Sequence, residues 1–349
     1  MITGKGFWIW KLLDCEGGDP ARIASAAQAA GLSHVLIKIA NGTVAVNEMG
    51  QDNHRILLGE TVTALKAVGI QVWGWHYVYG YYSQQEADIA VRRTLELGLD
   101  GYVIDAEREF KQAGWSARAE NFAQAVRREL APKGIPIALS SYRYPSLHRE
   151  FPWRAFLEQC DLNMPQVYWE QSHDPVDQLR RCVREFITLA PVRPVMPVAP
   201  TYKTNGWSPT AMDVRAFLDA AYEANKQAVS FFSWDECRRD LPTLWDVVAA
   251  EIRWPSTSAP EPQPNPGPDR SNGTAVTLFA TALVDGQNTR SGPSITEGIT
   301  GQLRVGQTYP ILDMRVQSPG SVWAMIGPGW AAVVYGGKKY LEIKKGVSI

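Results

Sequence analysis

The stretch Asp100-Gly101-Tyr102-Val103-Ile104-Asp105-Ala106-Glu107 has the pattern of a short buried strand that ends in two carboxylates. Successive side chains of a strand point to opposite faces, so Asp105 and Glu107 are expected to project to the same side from its C-terminal end. Neighbouring carboxylates cost free energy unless they are paired or used, and a site can use them as an acid and a charged helper. This pair is therefore the first candidate for chemistry.

The chain around this strand alternates regularly between strand-like and helix-like patterns as far as Trp254. Eight runs rich in Val, Ile and aromatic residues predict strands: Phe7–Leu12, His34–Ile39, Ile70–Tyr77, Gly101–Asp105, Ile135–Ser141, Leu162–Tyr168, Arg193–Ala199 and Ala228–Trp234. Helical patterns separate them, and this rhythm within about 250 residues predicts a (β/α)8 TIM barrel of the α/β class. A doubly wound sheet would instead carry a glycine-rich phosphate loop after its first strand, and residues 12–18 do not form one.

A second domain is predicted beyond a proline-rich linker. Six prolines fall within residues 255–268, so we assign 1–254 to the barrel, 255–274 to an extended linker and 275–349 to a small all-β domain of short segments punctuated by Gly and Pro.

Composition excludes several classes of function. The net charge is −1, from 35 basic and 36 acidic residues, so it favours neither nucleic acid nor an anionic membrane as a partner. The four cysteines lack metal-ligand spacing and are expected to be buried thiols, and no metal or other cofactor is indicated. The sequence shows neither a signal peptide nor a membrane-spanning run, so a protein acting outside the cell would need another export route or a phage origin.

The C-terminal ends of barrel strands carry the catalytic groups in this fold, so the residues at those ends are the candidate site. Beside Asp105 and Glu107 they are mostly aromatic residues, amides and acids: Asp14, Trp75, Tyr142, Gln166, Tyr168, Tyr202, Trp234 and Asp235. Carboxylates among aromatic platforms are typical of glycoside cleavage. The alternative is structural: the acids could form an ion-pair network with Arg108 or Arg143, and the aromatic rings could simply fill the core.

The run Asp100-Gly101-x-x-x-Asp105-x-Glu107 resembles the strand motif D-G-x-D-x-D-x-E of the chitinase-type glycoside hydrolases. Met164-Pro165-Gln166-Val167-Tyr168 resembles their sixth strand, and Trp234 is similar to the tryptophan that floors their sugar subsite. The resemblance implies that Glu107 is the general acid, that Asp105 orients the substrate's N-acetyl group and that Tyr168 assists by hydrogen bonding. Val103 stands where that family has its middle aspartate.

The barrel muramidases are a second resemblance, since they also place Asp-x-Glu on strand four and use an early aspartate, here Asp14. The run Asn288-Thr-Arg-Ser-Gly-Pro-Ser294 resembles the bacterial SH3-like domains that often accompany them, which implies binding of cell-wall peptide or glycan. Both resemblances imply hydrolysis beside an N-acetylhexosamine of peptidoglycan or a chitin-like polysaccharide.

Two other interpretations stay open from the sequence. One is a weak or inactive glycan-binding protein, such as a phage-tail or cell-surface component, which the substituted Val103 favours. The other is a barrel hydrolase of α- or β-glucans, in which Glu170 or Asp235 would be the partner of Glu107.

Overall fold

The computed structural model describes residues 2–48, 57–254, 276–311, 313–318, 321–326, 329–336 and 338–347. The chain divides into two compact units, Met1–Pro262 and Gln263–Ile349. The predicted linker 255–274 lies outside the described residues. Within the part of the chain that is described, no helix combines the length and apolar character needed to cross a bilayer.

The first unit is built on eight parallel strands, which confirms the predicted fold class. They are β1 Gly4–Ile9, β2 His34–Asn41, β3 Gln71–Val78, β4 Gly101–Ala106, β5 Ile137–Ser140, β6 Leu162–Asn163, β7 Val198–Pro200 and β8 Ala228–Phe232. Their order is β6-β5-β4-β3-β2-β1-β8-β7. Parallel bridges from Asn163 to Val195 and from Gln166 to Val198 join the two edges, so the sheet closes on itself. A short strand, Val44–Ala45, pairs back onto β2.

Helices follow the strands on the outside of the barrel. They are α1 Pro20–Ala29, α2 Leu57–Ala67, α3 Ser83–Glu96, α4 Ser116–Leu130, α5 Trp153–Leu157, α6 Pro175–Phe186, α7 Ala211–Glu223, α8 Trp234–Asp240 and α9 Pro242–Ala249. The start of α7 is a capping box, because the Thr210 hydroxyl accepts the Asp213 N–H while the Asp213 carboxylate accepts the Thr210 N–H. All four cysteines are buried, as the sequence predicts.

Prolines shorten two of the predicted strands. The sixth was expected to run to Tyr168 but ends at Asn163, before Pro165, and the seventh begins at Val198 rather than Arg193 because Pro194 and Pro197 interrupt it. Proline has no N–H to donate to a ladder. The residues between Asn163 and Val198 still bridge the two edges, with Met196 N donating to Asn163 O at 2.8 Å.

Alternation along the strands separates an inner from an outer core. Trp8, Trp73, Trp75 and Val103 are among the residues of the barrel interior, whereas the residues between them on each strand pack against the helices. A Cβ on Gly101 would lie 2.3 Å from the Trp73 ring, so the glycine of the Asp-Gly run makes room for that indole. Asp105 therefore has the same parity as Val103 and faces the barrel axis.

The second unit consists of antiparallel strands, as predicted for the all-β domain. A three-stranded sheet contains Val276–Ala282, Thr308–Pro310 and Leu341–Val347. A six-stranded sheet contains Gln287–Arg290, Ile299–Leu303, Asp313–Ser318, Ser321–Ile326, Gly329–Tyr335 and Lys338–Lys339. Its core includes Leu303, Ala324, Ile326 and Val333. The SH3-like character of this domain stays a prediction.

Candidate active site

Asp105 and Glu107 lie at the C-terminal end of β4, in the mouth of the barrel. Asp105 is the second-last residue of the strand and is buried, and Glu107 follows the strand and is partly exposed. Strand β4 pairs with β3 so that Asp105 lies beside Tyr77, while Val103 lies beside Trp75 one layer deeper. The strand thus holds both carboxylates above an apolar floor.

Gln166 links the two carboxylates. Its amide nitrogen Nε2 donates to Asp105 Oδ1 at 3.2 Å and to Glu107 Oε1 at 3.0 Å. The amide has two N–H groups, and two acceptors facing the same nitrogen fix its orientation. Gln166 is itself held by bridges to Tyr142 and Val198. The side chains from β4 and from the segment after β6 therefore form one hydrogen-bonded unit.

The pair is poised to retain a proton. Burial and then the negative charge of Glu107 raise the pKa of Asp105 well above its usual value, and the positive charge of Lys38 opposes this shift. Burial also raises the pKa of Glu107, against the hydrogen bond from Gln166 and with a further contribution from Glu109. A carboxyl group that stays protonated at higher pH than usual can donate a proton to a leaving group.

Lys38 supplies a buried cation at the mouth. Its Nζ donates to Asn41 Oδ1 at 2.9 Å and lies 4.8 Å from the Trp75 ring centroid. Burial lowers the pKa of Lys38, and the negative charge of Asp105 opposes that shift. The cation therefore acts electrostatically on the buried carboxylate of the pair.

Glu109 adds a third acid to the site. It is buried in the short 3₁₀ turn Arg108–Lys111, and its Oε2 accepts a hydrogen bond from the Tyr77 hydroxyl at 2.9 Å. Its other oxygen accepts from Nε of the exposed Arg108 at 3.2 Å. The charge of Glu109 raises the pKa of both Asp105 and Glu107. Glu109 thus favours the protonated state of the pair while its own carboxylate is tied to Tyr77.

Aromatic rings form the opposite side of the mouth. Tyr168 packs edge-on against Tyr202, with ring centroids 5.5 Å apart, and lies tilted against Phe232 at 6.1 Å. Burial and the neighbouring Tyr202, Asp105 and Glu107 raise the pKa of Tyr168 well above its usual value, so its hydroxyl stays a hydrogen-bond donor. The Tyr202 hydroxyl donates to the carboxylate of Glu170. The exposed Trp10 also lies beside Phe232, with centroids 6.4 Å apart.

Tyr142 lies on the other flank of the pair. Its ring stacks on His148 at 3.8 Å, and Lys111 Nζ lies 4.3 Å from its centroid. Burial, followed by the charges of Glu107 and Glu109, raises the pKa of Tyr142. The structure therefore brings Asp105, Glu107, Tyr142, Gln166, Tyr168 and Tyr202 together at one mouth.

The structure corrects the predicted position of Trp234 in the mouth. Its side chain is fully buried outside the barrel interior, with its ring 4.6 Å from Trp245 and 6.1 Å from Phe7. Strand β8 ends at Phe232, and Ser233 begins helix α8 by accepting the Glu236 N–H and donating to its carboxylate. The strand alternation that was predicted as far as Trp234 therefore ends at Phe232, and Phe232 is the aromatic residue of this strand that lies in the mouth.

The structure also corrects the predicted role of Trp75 as a sugar contact. It lies on the predicted inner face, but it is buried one layer below the carboxylates, and its Nε1 donates to Ile9 O at 3.0 Å. Because Lys38 lies over its ring, the indole supports that cation rather than offering a face to a ligand.

Asp14 and Asp235 form a separate acidic pair beside the first strand. Asp14 is exposed in the turn Leu12–Asp14, and its charge contributes to the raised pKa of Asp235, which arises mainly from burial. Asp235 Oδ1 has no hydrogen-bond partner among the described residues. Neither acid is among the groups that shift the pKa of Asp105 or Glu107. Among the described residues no cluster of three or more His, Cys, Asp or Glu side chains is arranged to hold a metal ion.

Three residues of the mouth were missed by sequence reasoning: Lys38, Glu109 and Phe232. Glu109 lies in the 3₁₀ turn after β4 rather than on the strand, so strand alternation does not predict its position. The pattern Ser233-x-x-Glu236 is a helix-start signal that would have ended the last strand at Phe232. A lysine at an inward position of β2 carries no such signal, since its proximity to Asp105 is tertiary.

Comparison with known proteins identifies similar folds but no sequence family. No family model matches the chain, and no curated protein is significantly similar to it. A chitinase from Chromobacterium violaceum superposes with a TM-score of 0.54 at 12% identity, covering 71% of this chain and 98% of that one. A GH18 chitinase, ChiB, from Flavobacterium johnsoniae gives 0.53 at 11% identity, covering 71% and 93%.

The spore cortex-lytic enzyme SleL from Bacillus megaterium is also similar, with a TM-score of 0.50 at 10% identity over 70% of this chain and 73% of that one. At such identities these likenesses establish the barrel fold alone. The class defined by the fold and the mouth is thus a (β/α)8 barrel in which an amide bridges a buried and a partly exposed carboxylate among aromatic rings.

Proposed function

We propose that the barrel is a glycoside hydrolase that cleaves beside an N-acetylhexosamine of peptidoglycan or a chitin-like glycan. The observation that carries the proposal is the bridge from one Gln166 amide to two carboxylates at the mouth, Asp105 and Glu107. Raised pKa values suit proton donation, and aromatic rings suit the flat faces of sugars. The similarity to chitinase and cortex-lytic folds is consistent with it.

The proposed mechanism is retaining and substrate-assisted. Glu107 protonates the glycosidic oxygen and later removes a proton from the attacking water, while Asp105 holds the N-acetyl group whose oxygen attacks the anomeric carbon. Gln166 orients both carboxylates, and the Tyr168 hydroxyl donates to the acetamide. Glu109 raises the pKa of both acids, whereas Lys38 opposes the rise for Asp105, so Lys38 is the group that favours an ionised Asp105 beside a protonated Glu107.

Glu107→Gln tests this assignment. We expect turnover of peptidoglycan or chitin oligomers to fall by about 10²- to 10⁴-fold, because the general acid is lost. Burial raises the pKa of Glu107, so its ionised form opposes folding as pH rises through the folded pKa. Removing the charge should therefore leave the melting temperature at pH 7 equal or higher. New reducing ends are identified by mass spectrometry.

The matched control is Glu129→Gln, an exposed acid near the end of α4 that pairs with Arg128. It should keep wild-type turnover. Near-normal activity of the Glu107 variant would refute the general-acid assignment.

Binding without turnover is the second candidate function. Its support is Val103, a buried apolar residue directly below Asp105, at the position where the resembling family has a proton-sharing aspartate. Retention of glycan by wild-type protein with no new reducing end would favour it. For the all-β domain we propose a role in attachment to wall peptide or glycan, supported by the Asn288–Ser294 run.

A further inference from the structure

A row of aromatic rings leads from the carboxylates to the surface along the connection between β3 and α3. The Tyr77 hydroxyl donates to Glu109 Oε2 at 2.9 Å, which starts the row at the site. Ring centroids of Tyr77 and Tyr79 are 5.0 Å apart, and those of Tyr79 and Tyr81 are 6.4 Å apart in a stacked arrangement. Trp115 meets Tyr81 edge-on at 5.1 Å. The row is thus continuous with the candidate active site.

Tyr81, near the outer end of the row, is 54% exposed. Tyr79 and Trp115 beside it are partly exposed, so the three rings form a contiguous aromatic surface, and such surfaces mark ligand-binding sites. A tyrosine also keeps a polar hydroxyl at its rim, which suits a ligand that has both apolar faces and hydroxyl groups.

The backbone under these rings is fixed in place. The buried Glu86 carboxylate accepts the N–H groups of Tyr79 at 3.1 Å and Gly80 at 2.9 Å. Arg118 donates to the carbonyl oxygens of Gly80 at 3.0 Å and Tyr81 at 3.1 Å. A surface held this way loses little conformational freedom when a ligand binds, which favours affinity.

We propose that Tyr79, Tyr81 and Trp115 form a stacking surface for sugar units of the same glycan chain that lie beyond the unit at Asp105 and Glu107. The inference rests on the proposed function and adds that the protein recognises polymeric rather than short glycans. We expect the ligand of this surface to be the glycan itself, because the row begins at Tyr77, whose hydroxyl is bonded to Glu109 of the candidate active site. A glycan chain bound at that site therefore continues along the rings.

The test uses the full chain with Glu107→Gln, so that binding is measured without turnover. Tyr81→Ala and Tyr81→Phe are compared, and Tyr222→Ala serves as control, since Tyr222 is similarly exposed at 49% but lies near the end of α7 that leads to the opposite face of the barrel. Binding to insoluble chitin and to purified peptidoglycan sacculi is measured by co-sedimentation. Binding of a soluble trisaccharide is measured by calorimetry.

We expect Tyr81→Ala to weaken binding to the polymer that the Glu107→Gln parent binds, chitin or peptidoglycan, by about 3- to 10-fold. Tyr81→Phe, which keeps the ring, and Tyr222→Ala should change it by less than about twofold. Trisaccharide binding should be unaffected in all three. Three outcomes would each overturn the inference. Tyr81→Ala could bind polymer as well as its parent, it could lose polymer and trisaccharide binding equally, or the parent could bind neither polymer.

Turnover by the wild-type protein separates this inference from the proposed function. Turnover with polymer binding that does not depend on Tyr81 leaves the hydrolase proposal intact and refutes the stacking surface. Polymer binding that depends on Tyr81 without turnover supports the stacking surface and refutes hydrolysis.

Discussion

At the scale of single residues, Lys38 alters what the sequence implies about the acidic pair. The family resemblance places an aspartate at the position of Val103, which would share a proton with Asp105. Here that position is apolar, and the group that opposes the raised pKa of Asp105 is the Lys38 cation on β2, two strands away in the sheet. An ammonium group favours the ionised carboxylate, so Lys38 limits the rise in the pKa of Asp105 that burial and Glu107 produce.

Lys38→Met should shift the pH dependence of catalysis. Lys38 opposes the rise in the pKa of Asp105, so removing it raises that pKa further. If ionised Asp105 orients the substrate, activity at low pH is lost as Asp105 becomes protonated. The acidic limb of the kcat/KM profile should therefore move to higher pH, while methionine retains apolar contact with Trp75.

The control for this variant is Lys133→Met, which removes an exposed lysine from the turn Ala131–Lys133 after α4. Its profile should overlay that of the wild type. Identical acidic limbs in the Lys38 and Lys133 variants would show that Lys38 does not set the charge of Asp105.

Residues that strand alternation governs could be predicted, and residues placed by tertiary contacts could not. Asp105 and Glu107 share a face because they are two apart at the end of a strand, and Gln166 follows from its place after β6. The prediction that Trp234 lies in the mouth was wrong because a helix cap interrupts the alternation after Phe232. Lys38 reaches Asp105 only through the pairing of β2 with β3 and β3 with β4.

At the scale of elements, Glu86 connects helix α3 to the aromatic row. It lies in the first turn of α3, and its carboxylate accepts backbone N–H groups from the preceding loop. Glu86→Gln leaves one oxygen for these donors and buries an amide that has no acceptor in place. We expect a loss of about 1–3 kcal/mol in the free energy of unfolding, measured by urea denaturation.

Glu96→Gln, at the other end of α3, is the matched control. Glu96 is half-exposed and pairs with Arg92, and such surface pairs contribute about 0–1 kcal/mol. Equal stability of the two variants would contradict the structural role of Glu86.

Strands and helices were predicted in type more securely than in extent. Hydrophobic patterns identify β6 and β7, but prolines at 165, 194 and 197 remove ladder donors and leave strands of two and three residues. The closing bridges of the barrel run through the irregular residues beside them. The hydrophobic pattern predicts that those residues are part of the strands. Their hydrogen bonds, however, depend on how the whole sheet closes.

At the scale of the whole molecule, two buried histidines on adjacent strands couple the barrel to pH. His76 is a hydrogen-bonded core residue, since Nε2 contacts Gly42 O at 2.7 Å and Nδ1 contacts the Tyr102 hydroxyl at 3.0 Å. A carbonyl only accepts, so Nε2 carries the hydrogen and Nδ1 accepts. Burial lowers the pKa of His76 to about 3 and that of His34 to about 4.

His76→Gln should reduce the acid sensitivity of the barrel. A histidine whose folded pKa is depressed stabilises the fold above its unfolded pKa of about 6.5, and this stability is lost as pH falls towards the folded value. From pH 7 to pH 5 the wild type should therefore lose about 2 kcal/mol more unfolding free energy than the variant. Asp105 and Glu107, whose raised pKa values act in the opposite direction, are present in both proteins and cancel in the comparison. Urea denaturation followed by tryptophan fluorescence at the two pH values measures the difference, and His34→Gln provides a parallel variant with the same expected sign. If neither variant flattens the pH dependence, the two histidines are not held neutral in the folded barrel.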